Sequence, residues 1–364
     1  MEATASAYRG CMLGMAVGDA LGYTVDGKTL SEIRDCYGPN GLLGYDLQET
    51  EYAMITSYTQ IAAYLSNALL LSVSRGKGDP VSYAKLGLRE WTRSQQFYRD
   101  PEVSYCWVTK CPQFRRRYCR DARMLDILRL QAYGAPESPQ NDNNAPGAIT
   151  TAVAVGMFYN HRRLSPEQIG TLTGQIIGLT HGNPEAILSG VVLAYAIAGI
   201  LQEPDCPLDQ QFRQAIGAMD GQFRARFPVA EDLAQQLRGA IALAQSHTVA
   251  EEEGMEQLEC VDAAGCLAGA IFASLRNPED FDSAMITAVN HSGLSAAVGA
   301  ITGAVLGAKL EEEALPAFYL ESLEGVLALQ TLAEDLACGT PALGLFDDAW
   351  DLKYVQGFPP EGIF

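Results

Sequence analysis

AVNHSGLSAAVGAITGAVLGA, residues 288–308, joins a polar loop to an apolar segment that has glycine at every fourth position. Gly299, Gly303 and Gly307 share one face if the segment is helical, because residues four apart lie one above the other on an α-helix. Such a stripe lets a neighbouring backbone approach closely. The stretch therefore predicts a buried helix that follows a loop with one histidine, His291, and no acidic residue.

The same helical spacing of apolar residues runs through most of the chain, and the sequence has no series of alternating strands. The clearest periodic segments are 59–74, 166–178, 185–201, 229–245, 261–275 and 295–309. We therefore expect an all-α fold, a single large multi-helix bundle formed by residues 1–337. Residues 338–364 contain aromatic residues and prolines with little helical pattern, so we expect an extended C-terminal tail packed on the bundle.

The charge of the chain limits its partners. The 364 residues carry a net charge of −19, and the sequence pI is about 4.6. An acidic surface of this kind repels a phosphate backbone, so we expect no nucleic-acid partner. The one basic run is QFRRRYCRDAR, residues 113–123, which is either a solvated helix face or a local landing site for an anionic ligand.

Several features favour a cytoplasmic protein with no membrane partner. The nine cysteines show no CxxC spacing, which is typical of reduced thiols. The N-terminus carries Glu2 and no basic segment, unlike a secretory signal. The apolar stretch 187–201 is short for a membrane span, and 283–308 contains polar residues, so both are predicted to be buried helices.

Five segments, taken in order, resemble the signatures of the ADP-ribosylglycohydrolase family, the group that includes the dinitrogenase reductase-activating glycohydrolase. They are GCMLGMAVGDALG (10–22), ITSYTQIAAYLSNALLL (55–71), NDNNAPGAITTAVAVG (141–156), LTHGNPEA (179–186) and AVNHSGLSAAVGAITGAVLGA (288–308). Each motif alone is weak, but their order covers nearly the whole chain. The resemblance implies an all-α fold with a cleft in which two Mg²⁺ ions and a water release ADP-ribose from a protein or other acceptor.

The positions that match the family's metal ligands carry no carboxylate in this chain. Ser57 and Tyr58 stand where the second signature has two aspartates. Leu294, Ala296 and Ala297 stand where the last signature has aspartate, aspartate and threonine. Because Mg²⁺ prefers carboxylate and water oxygens, we expect no metal cofactor here, although the resemblance implies two Mg²⁺ ions.

Other positions keep the residue types that the family uses around its ligand. The resemblance therefore makes the following residues candidates for ligand binding: Thr56, Thr59, Asn144, Ala145, Gly147, His181, Gly293 and Ser295. The glycine-rich loop is altered, since Thr151 replaces the family's arginine and Pro146 has no N–H to donate. Backbone N–H groups at a helix start can still bind a pyrophosphate.

Two of the candidate residues have alternative roles that the sequence leaves open. His181 matches a family histidine near the adenosine side, where it would contact ribose, but the backbone could equally satisfy a histidine at a helix start. Asp26 falls where the family has a glutamate on a loop that gates the cleft, so it is a vestigial catalytic position, or else a solvent-facing loop aspartate.

The resemblance and the missing carboxylates together predict a pseudoenzyme. Such a protein would keep the glycohydrolase fold and bind ADP-ribose, a related nucleotide or a protein partner. The alternative is an active ADP-ribosyl hydrolase with a non-standard, metal-poor site, for example one that uses Asp26 and a bound water. The sequence alone leaves open whether the protein is an enzyme.

Overall fold

A computed structural model describes residues 4–47, 51–74, 78–96, 104–119, 121–162, 164–246, 248–339 and 348–363. These ranges contain three short 3-10 helices, Trp107–Lys110, Pro112–Arg115 and Glu312–Ala314. They also contain α1 Ala5–Tyr23, α2 Leu30–Tyr37, α3 Ser57–Ser74, α4 Pro80–Ser94, α5 Ala122–Leu130, α6 Gly147–Arg162, α7 Pro166–Gly178, α8 Pro184–Gln202, α9 Leu208–Phe223, α10 Val229–Gln245, α11 Glu251–Gln257, α12 Ala263–Arg276, α13 Phe281–Val289, α14 Ser295–Leu310, α15 Ala317–Ser322, α16 Val326–Cys338 and α17 Asp348–Tyr354. Within them, extended pairing is limited to isolated bridges, and the predicted all-α fold is confirmed.

Helices α1 and α14 run antiparallel with their backbones in direct contact. Glycines of one helix face glycines of the other in three successive pairs: Gly10 with Gly307, Gly14 with Gly303, and Gly18 with Gly299. A Cβ atom at any of these positions would overlap the opposite carbonyl oxygen. The glycine stripe predicted on α14 therefore has a matching stripe on α1. Their contact fixes the C-terminal end of α1 beside the start of α14.

Local sequence signals set where the surrounding helices begin. Asn183 caps α8 by accepting hydrogen bonds from the N–H groups of Glu185 and Ala186, and Pro184 occupies the first helical position. Ser165 and Gln168 form a capping box at the start of α7. These caps satisfy N–H groups that have no partner inside the helix, so both helices begin at defined residues.

One described helix, α8, is long and apolar enough to cross a membrane by length and composition alone. About 83% of its apolar window is buried against other helices, which is also typical of the central helix of a bundle. The second apolar stretch, 283–308, is divided between α13 and α14 by the loop that contains His291. Both stretches therefore form the buried helices that their sequences predict.

The described part of the C-terminal segment is helical over Asp348–Tyr354, where the sequence predicts an extended tail. Trp350 and Tyr354 lie four residues apart and are both buried, so this turn of helix has an apolar face to pack. The indole N–H of Trp350 donates to Ser74 Oγ at 2.7 Å, and the hydroxyl of Tyr354 donates to Asp335 at 2.6 Å. Residues 340–347 and 364 lie outside the described ranges.

Candidate functional site

A cleft of about 300 Å³ lies where the start of α3 meets the segment after α1 and the loops that precede α5, α6, α12 and α14. The side chains and backbone that line it belong to Asp26, Tyr58, Asp121, Ala122, Arg123, Asn143, Asn144, Ala145, Pro146, Val261 and Leu294. Three of the segments singled out from the sequence, at Tyr58, Asn144 and Leu294, therefore meet in one place.

The positions that match metal ligands divide into two groups. Tyr58 and Leu294 line the cleft, whereas Ser57, Ala296 and Ala297 are buried behind it. Burial raises the pKa of the Tyr58 hydroxyl well above its usual value, so this side chain is neutral in the physiological range. Within the described residues, no group of three or more His, Cys, Asp or Glu side chains could hold a metal ion. These donors do not fit a pair of Mg²⁺ ions.

The threonines that flank Ser57 and Tyr58 bind a carboxylate of α1. Asp19 is fully buried, and its carboxylate accepts hydrogen bonds from the hydroxyls of Thr56 and Thr59 at 2.7 and 2.6 Å. It also accepts the backbone N–H groups of the same two residues at 2.9 and 3.2 Å. Asp19 thereby caps the N-terminal turn of α3. The two threonines thus have a structural role that is sufficient to explain their presence.

Asp26 supplies the missing cap of α14. The residue at the N-cap position, Leu294, has no side chain that can accept a hydrogen bond. Asp26 Oδ1 instead accepts the N–H of Ala296 at 3.0 Å, and the next residue, Gly27, donates its N–H to the carbonyl of Gly293 at 2.9 Å. Asp26 is half-buried and lines the cleft, so it is not a purely solvent-facing aspartate.

A second carboxylate at the cleft, Asp121, was not identified from the sequence. One of its oxygens lies 3.0 Å from His181 Nε2 and accepts the amide of Asn143 at 2.8 Å, and the other accepts the N–H of Met124 at 2.9 Å. Burial alone would raise the pKa of Asp121, but these bonds and the imidazole outweigh it, so the pKa is lowered and the carboxylate is ionised.

His181 lies behind the cleft and is fully buried. Its Nδ1 lies 2.9 Å from the hydroxyl of Thr180, and its Nε2 is paired with Asp121. The histidine is therefore satisfied by side chains, which differs from both roles considered from the sequence, a backbone partner or a ribose hydroxyl. Its geometry suits it to orient Asp121 toward the cleft.

The basic run 113–123 is not one face of a helix in its described part, so that interpretation is wrong. A 3-10 turn ends at Arg115, and α5 begins only after Asp121, which caps it. Arg116 forms an ion pair with Glu324 at 2.7 Å, and Arg123 lines the cleft. Arg120 lies outside the described residues. Of the described arginines in this run, Arg123 is the one that lines the cleft, beside Asp121 and Ala122 of the same run.

In the loop before α6, some backbone N–H groups donate hydrogen bonds to side chains of the same loop. The N–H of Asn143 donates to the side chain of Asn141 at 2.9 Å, and the N–H of Ala145 donates to the side chain of Asn143 at 3.2 Å. Pro146 has no N–H. Gly147 lies close to His181 and Asp121, where a Cβ atom would meet their polar atoms at 3.4 to 3.6 Å. Few N–H groups of this loop thus remain for an anionic ligand.

The last two candidates, Gly293 and Ser295, lie in the turn that starts α14. Gly293 packs against the carbonyl of Cys260, which a Cβ atom would approach to 2.6 Å. The hydroxyl of Ser295 is buried and has no hydrogen-bond partner among the described residues. Neither residue lines the cleft. Both therefore contribute to the shape of the turn and not to the surface of the cleft.

The structure thus separates the candidates by position. Those that line the cleft are Asp26, Tyr58, Asn144, Ala145 and Leu294. Those behind it are Thr56, Ser57, Thr59, Gly147, His181, Gly293, Ser295, Ala296 and Ala297. The lining residues that the sequence did not single out are Asp121, Ala122, Asn143 and Val261, whereas Arg123 belongs to the basic run that was a candidate landing site for an anionic ligand. For Asp121, the available signal was an aspartate directly before the amphipathic pattern of α5, which is typical of an N-cap.

The order and meeting of these segments agree with a comparison to known families. The family model of ADP-ribosylglycohydrolases matches residues 1–343. The chain belongs to the ADP-ribosylglycohydrolase family. The cleft between Tyr58, Asn144 and Leu294 lies within the region that the family model matches.

Two individual proteins resemble this family member along most of its length. An uncharacterized protein from Archaeoglobus fulgidus is 25% identical over 338 residues, which cover 90% of this chain and 95% of the relative. A solved structure described as an ADP-ribosylglycohydrolase-related protein complex has a TM-score of 0.64 at 22% identity and covers 92% of this chain and 98% of its own. At that identity the likeness shows the fold alone.

Proposed function

We propose that this member of the ADP-ribosylglycohydrolase family is a pseudoenzyme that binds an ADP-ribose-like ligand in the cleft without cleaving it. The observation that carries the proposal is the donor set: Tyr58 and Leu294 line the cleft at positions where metal-binding aspartates are expected. A dinuclear magnesium site needs several carboxylates to offset four positive charges. The two carboxylates that line this cleft, Asp26 and Asp121, already bind protein N–H groups.

The cleft suits recognition of a ribose and a phosphate. Asp26 and Asp121 present acceptor oxygens for sugar hydroxyls, and Arg123 presents a guanidinium that can bind a phosphate oxygen. The lowered pKa of Asp121 keeps its carboxylate ionised, which suits an acceptor and makes it a weak general base. The residues therefore favour binding over hydrolysis.

The size of the cleft limits how much ligand it covers. Its volume of about 300 Å³ lies at the lower end for small-molecule sites. Tyr58 and Leu294 fill part of the cleft that would remain available to a ligand if these positions carried metal-binding carboxylates. We therefore expect the ribose and an adjoining phosphate to be enclosed, with the rest of an ADP-ribose molecule lying outside.

Calorimetric titration with ADP-ribose tests this proposal. We expect saturable binding that is equal in Mg²⁺ and in EDTA, because no metal takes part. Arg123→Gln should weaken it about tenfold by removing a charge-assisted hydrogen bond. Arg238→Gln, an exposed arginine of α10, is the matched control and should leave affinity unchanged. If no heat is released at millimolar ADP-ribose, the small-molecule proposal fails and a protein-binding scaffold is the better interpretation.

The alternative is an active hydrolase with a metal-poor site in which Asp26 activates a water. Asp26 lines the cleft, which favours this idea, but its carboxylate also caps α14. Incubation with ADP-ribosylated arginine and serine peptides distinguishes the two. Release of ADP-ribose by the native chain in EDTA, abolished by Asp26→Asn, would establish the hydrolase and contradict the pseudoenzyme.

We also propose that the protein is cytoplasmic. All nine cysteines are free thiols, and five of them are buried, as expected for a chain that folds in a reducing compartment. Fractionation of the native host with detection of the chain in the soluble, reducing fraction would support this location. Recovery in a secreted or membrane fraction would contradict it.

A further inference from the structure

A second pocket, of about 150 Å³, lies between the C-terminal halves of α4 and α5. The residues that line it are Arg89, Thr92, Arg93, Gln96, Leu128, Arg129 and Gln131. Three of these carry a guanidinium, two carry a side-chain amide, and none carries a carboxylate. The chain has 44 acidic and only 25 basic side chains, so a concave surface with this lining is unusual for it.

The sequence of α4 places positive charges in a row along this surface. Lys85, Arg89 and Arg93 are spaced four residues apart, so they share one face of the helix. Like charges at this spacing destabilise a helix slightly, so the row of positive charges does not by itself stabilise the fold. Glu90, the one acidic residue of α4, is buried and binds the N–H groups of Tyr105 and Cys106. It therefore does not neutralise the row.

Within the described part of the chain, the guanidiniums of this pocket have little counter-charge. Arg89 and Arg93 form no ion pair with the described residues, and Arg129 lies 3.6 Å from the exposed Asp126. Two exposed arginines elsewhere pair more closely: Arg224 Nη2 lies 2.6 Å from Asp220, and Arg116 Nη1 lies 2.7 Å from Glu324. Among the residues that the structure describes, no acidic side chain lines this pocket.

We propose that this pocket is a binding site for a phosphoryl group, supplied by inorganic phosphate or by a small phosphate monoester. Guanidiniums bind phosphate oxygens through paired N–H groups, and the two glutamine amides add further donors. A dianion matches the two unpaired arginines in charge. The volume of the pocket suits one phosphoryl group and is too small to enclose a whole nucleotide.

A purely structural role would explain only part of this arrangement. Arg93 and Arg129 lie in the last turns of α4 and α5, where a positive charge interacts favourably with the helix dipole. Arg89 lies a full turn earlier and gains nothing from that effect. The helix dipole therefore leaves the position of Arg89 unexplained.

Titration followed by ³¹P NMR at constant ionic strength tests the site, with inorganic phosphate and glycerol 2-phosphate as probes. We expect saturable binding by the native chain and a Kd about tenfold higher, or more, in R89Q/R93Q, which loses two charge-assisted contacts. R213Q/R238Q removes the same charge from exposed positions on α9 and α10 and should leave the Kd unchanged. Circular dichroism of each variant checks that the fold is retained.

The variants also separate this site from the first cleft. Arg123 lines that cleft and not this pocket, so R123Q should weaken any phosphate binding in the first cleft, whereas R89Q/R93Q should not. Saturable binding that only R89Q/R93Q weakens supports the proposal, and the probe that binds more tightly identifies the source of the phosphoryl group. Absence of saturable binding, equal weakening in R213Q/R238Q, or weakening by R123Q with R89Q/R93Q unaffected would each overturn it.

Discussion

At the scale of single residues, His291 is a buried base whose charge state is set by its surroundings. Neither ring nitrogen makes a hydrogen bond of good geometry with the described residues. Burial lowers the pKa of His291 to about 4, against a small opposing effect of Glu256 and the nearby backbone. The native state therefore holds the imidazole neutral at pH values where the unfolded chain protonates it.

This lowered pKa makes the protein less stable in acid. Between pH 6.5 and about 4 the unfolded state binds one proton more than the native state at this residue, so stability falls as the pH falls. At pH 5 the loss is about 2 kcal/mol. We expect His291→Leu to be nearly neutral at pH 7.5 and to be the more stable chain at pH 5, as measured by urea unfolding. An unchanged difference between the two pH values would contradict this.

Glu324 is expected to act in the opposite direction. Burial raises its pKa to about 7, although Arg116 and the N–H of Ile55 favour the ionised form. The native state then holds a proton that the unfolded chain releases above pH 4.5, so this stability is present below pH 4.5 and is lost as the pH rises through 7. The free energy of unfolding lost over this pH range through Glu324 is about 3 kcal/mol.

Glu324→Gln should remove this loss. Glutamine keeps an acceptor for Ile55 and carries no proton to release, so we expect the variant to gain stability relative to the native chain as the pH rises from 5 to 7.5. Urea unfolding at the two pH values measures the gain. His291→Leu changes the pH slope in the opposite sense and serves as the control. Parallel pH profiles for native and E324Q would show that Glu324 has a normal pKa in the folded chain.

At the scale of helices, the glycine contact between α1 and α14 predicts a sharp difference between two glycine-to-alanine substitutions. A Cβ at Gly303 would overlap the backbone of Gly14, so the helices must separate, and we expect Gly303→Ala to cost about 3 kcal/mol. Gly239, in the exposed face of α10, has open space around it. Gly239→Ala should instead stabilise the chain by up to about 1 kcal/mol.

The midpoint of urea unfolding measures both changes. Gly303→Ala and Gly239→Ala are the same substitution, and both positions lie inside an α-helix. Helix propensity alone therefore predicts that both variants gain stability. A stabilising Gly303→Ala would mean that α1 and α14 do not touch through their glycines.

Helix periodicity could predict α3, α7, α8, α10, α12 and α14 because each has a strong apolar pattern of its own. The partner of a helix is not encoded locally: the stripe on α14 indicates a close neighbour but does not identify α1. The same limit applies to Asp19, which binds Thr56 and Thr59 from 37 and 40 residues away. Pairings of this kind depend on the assembled bundle.

At the scale of the whole molecule, the site was predictable where one segment resembles a known signature. Tyr58, Asn144 and Leu294 belong to motifs that could be recognised in order, and the structure brings the three residues to one cleft. Asp121 was missed because it lies in the basic run 113–123, which resembles no signature, and chain folding alone brings it and Arg123 to the cleft. The role of Asp26 as the cap of α14 was equally hidden, because it joins residues 270 positions apart.

Magnesium dependence tests the whole arrangement at once, through stability rather than activity. Without a metal ion, the variant S57D/Y58D/L294D/A296D places four more carboxylates in and behind the cleft, and their mutual repulsion and burial should lower Tm. If the backbone still has the geometry of a metal site, Mg²⁺ should restore Tm, since a ligand at a hundred times its Kd stabilises the folded state by about 2.7 kcal/mol. The matched variant with asparagine at the same positions controls for size and should show no such rescue.

The native chain should melt at the same temperature in Mg²⁺ and in Na⁺ at equal ionic strength. A specific rise of its Tm in Mg²⁺ would reveal a metal site that the native side chains do form, and would contradict the proposed loss of metal chemistry.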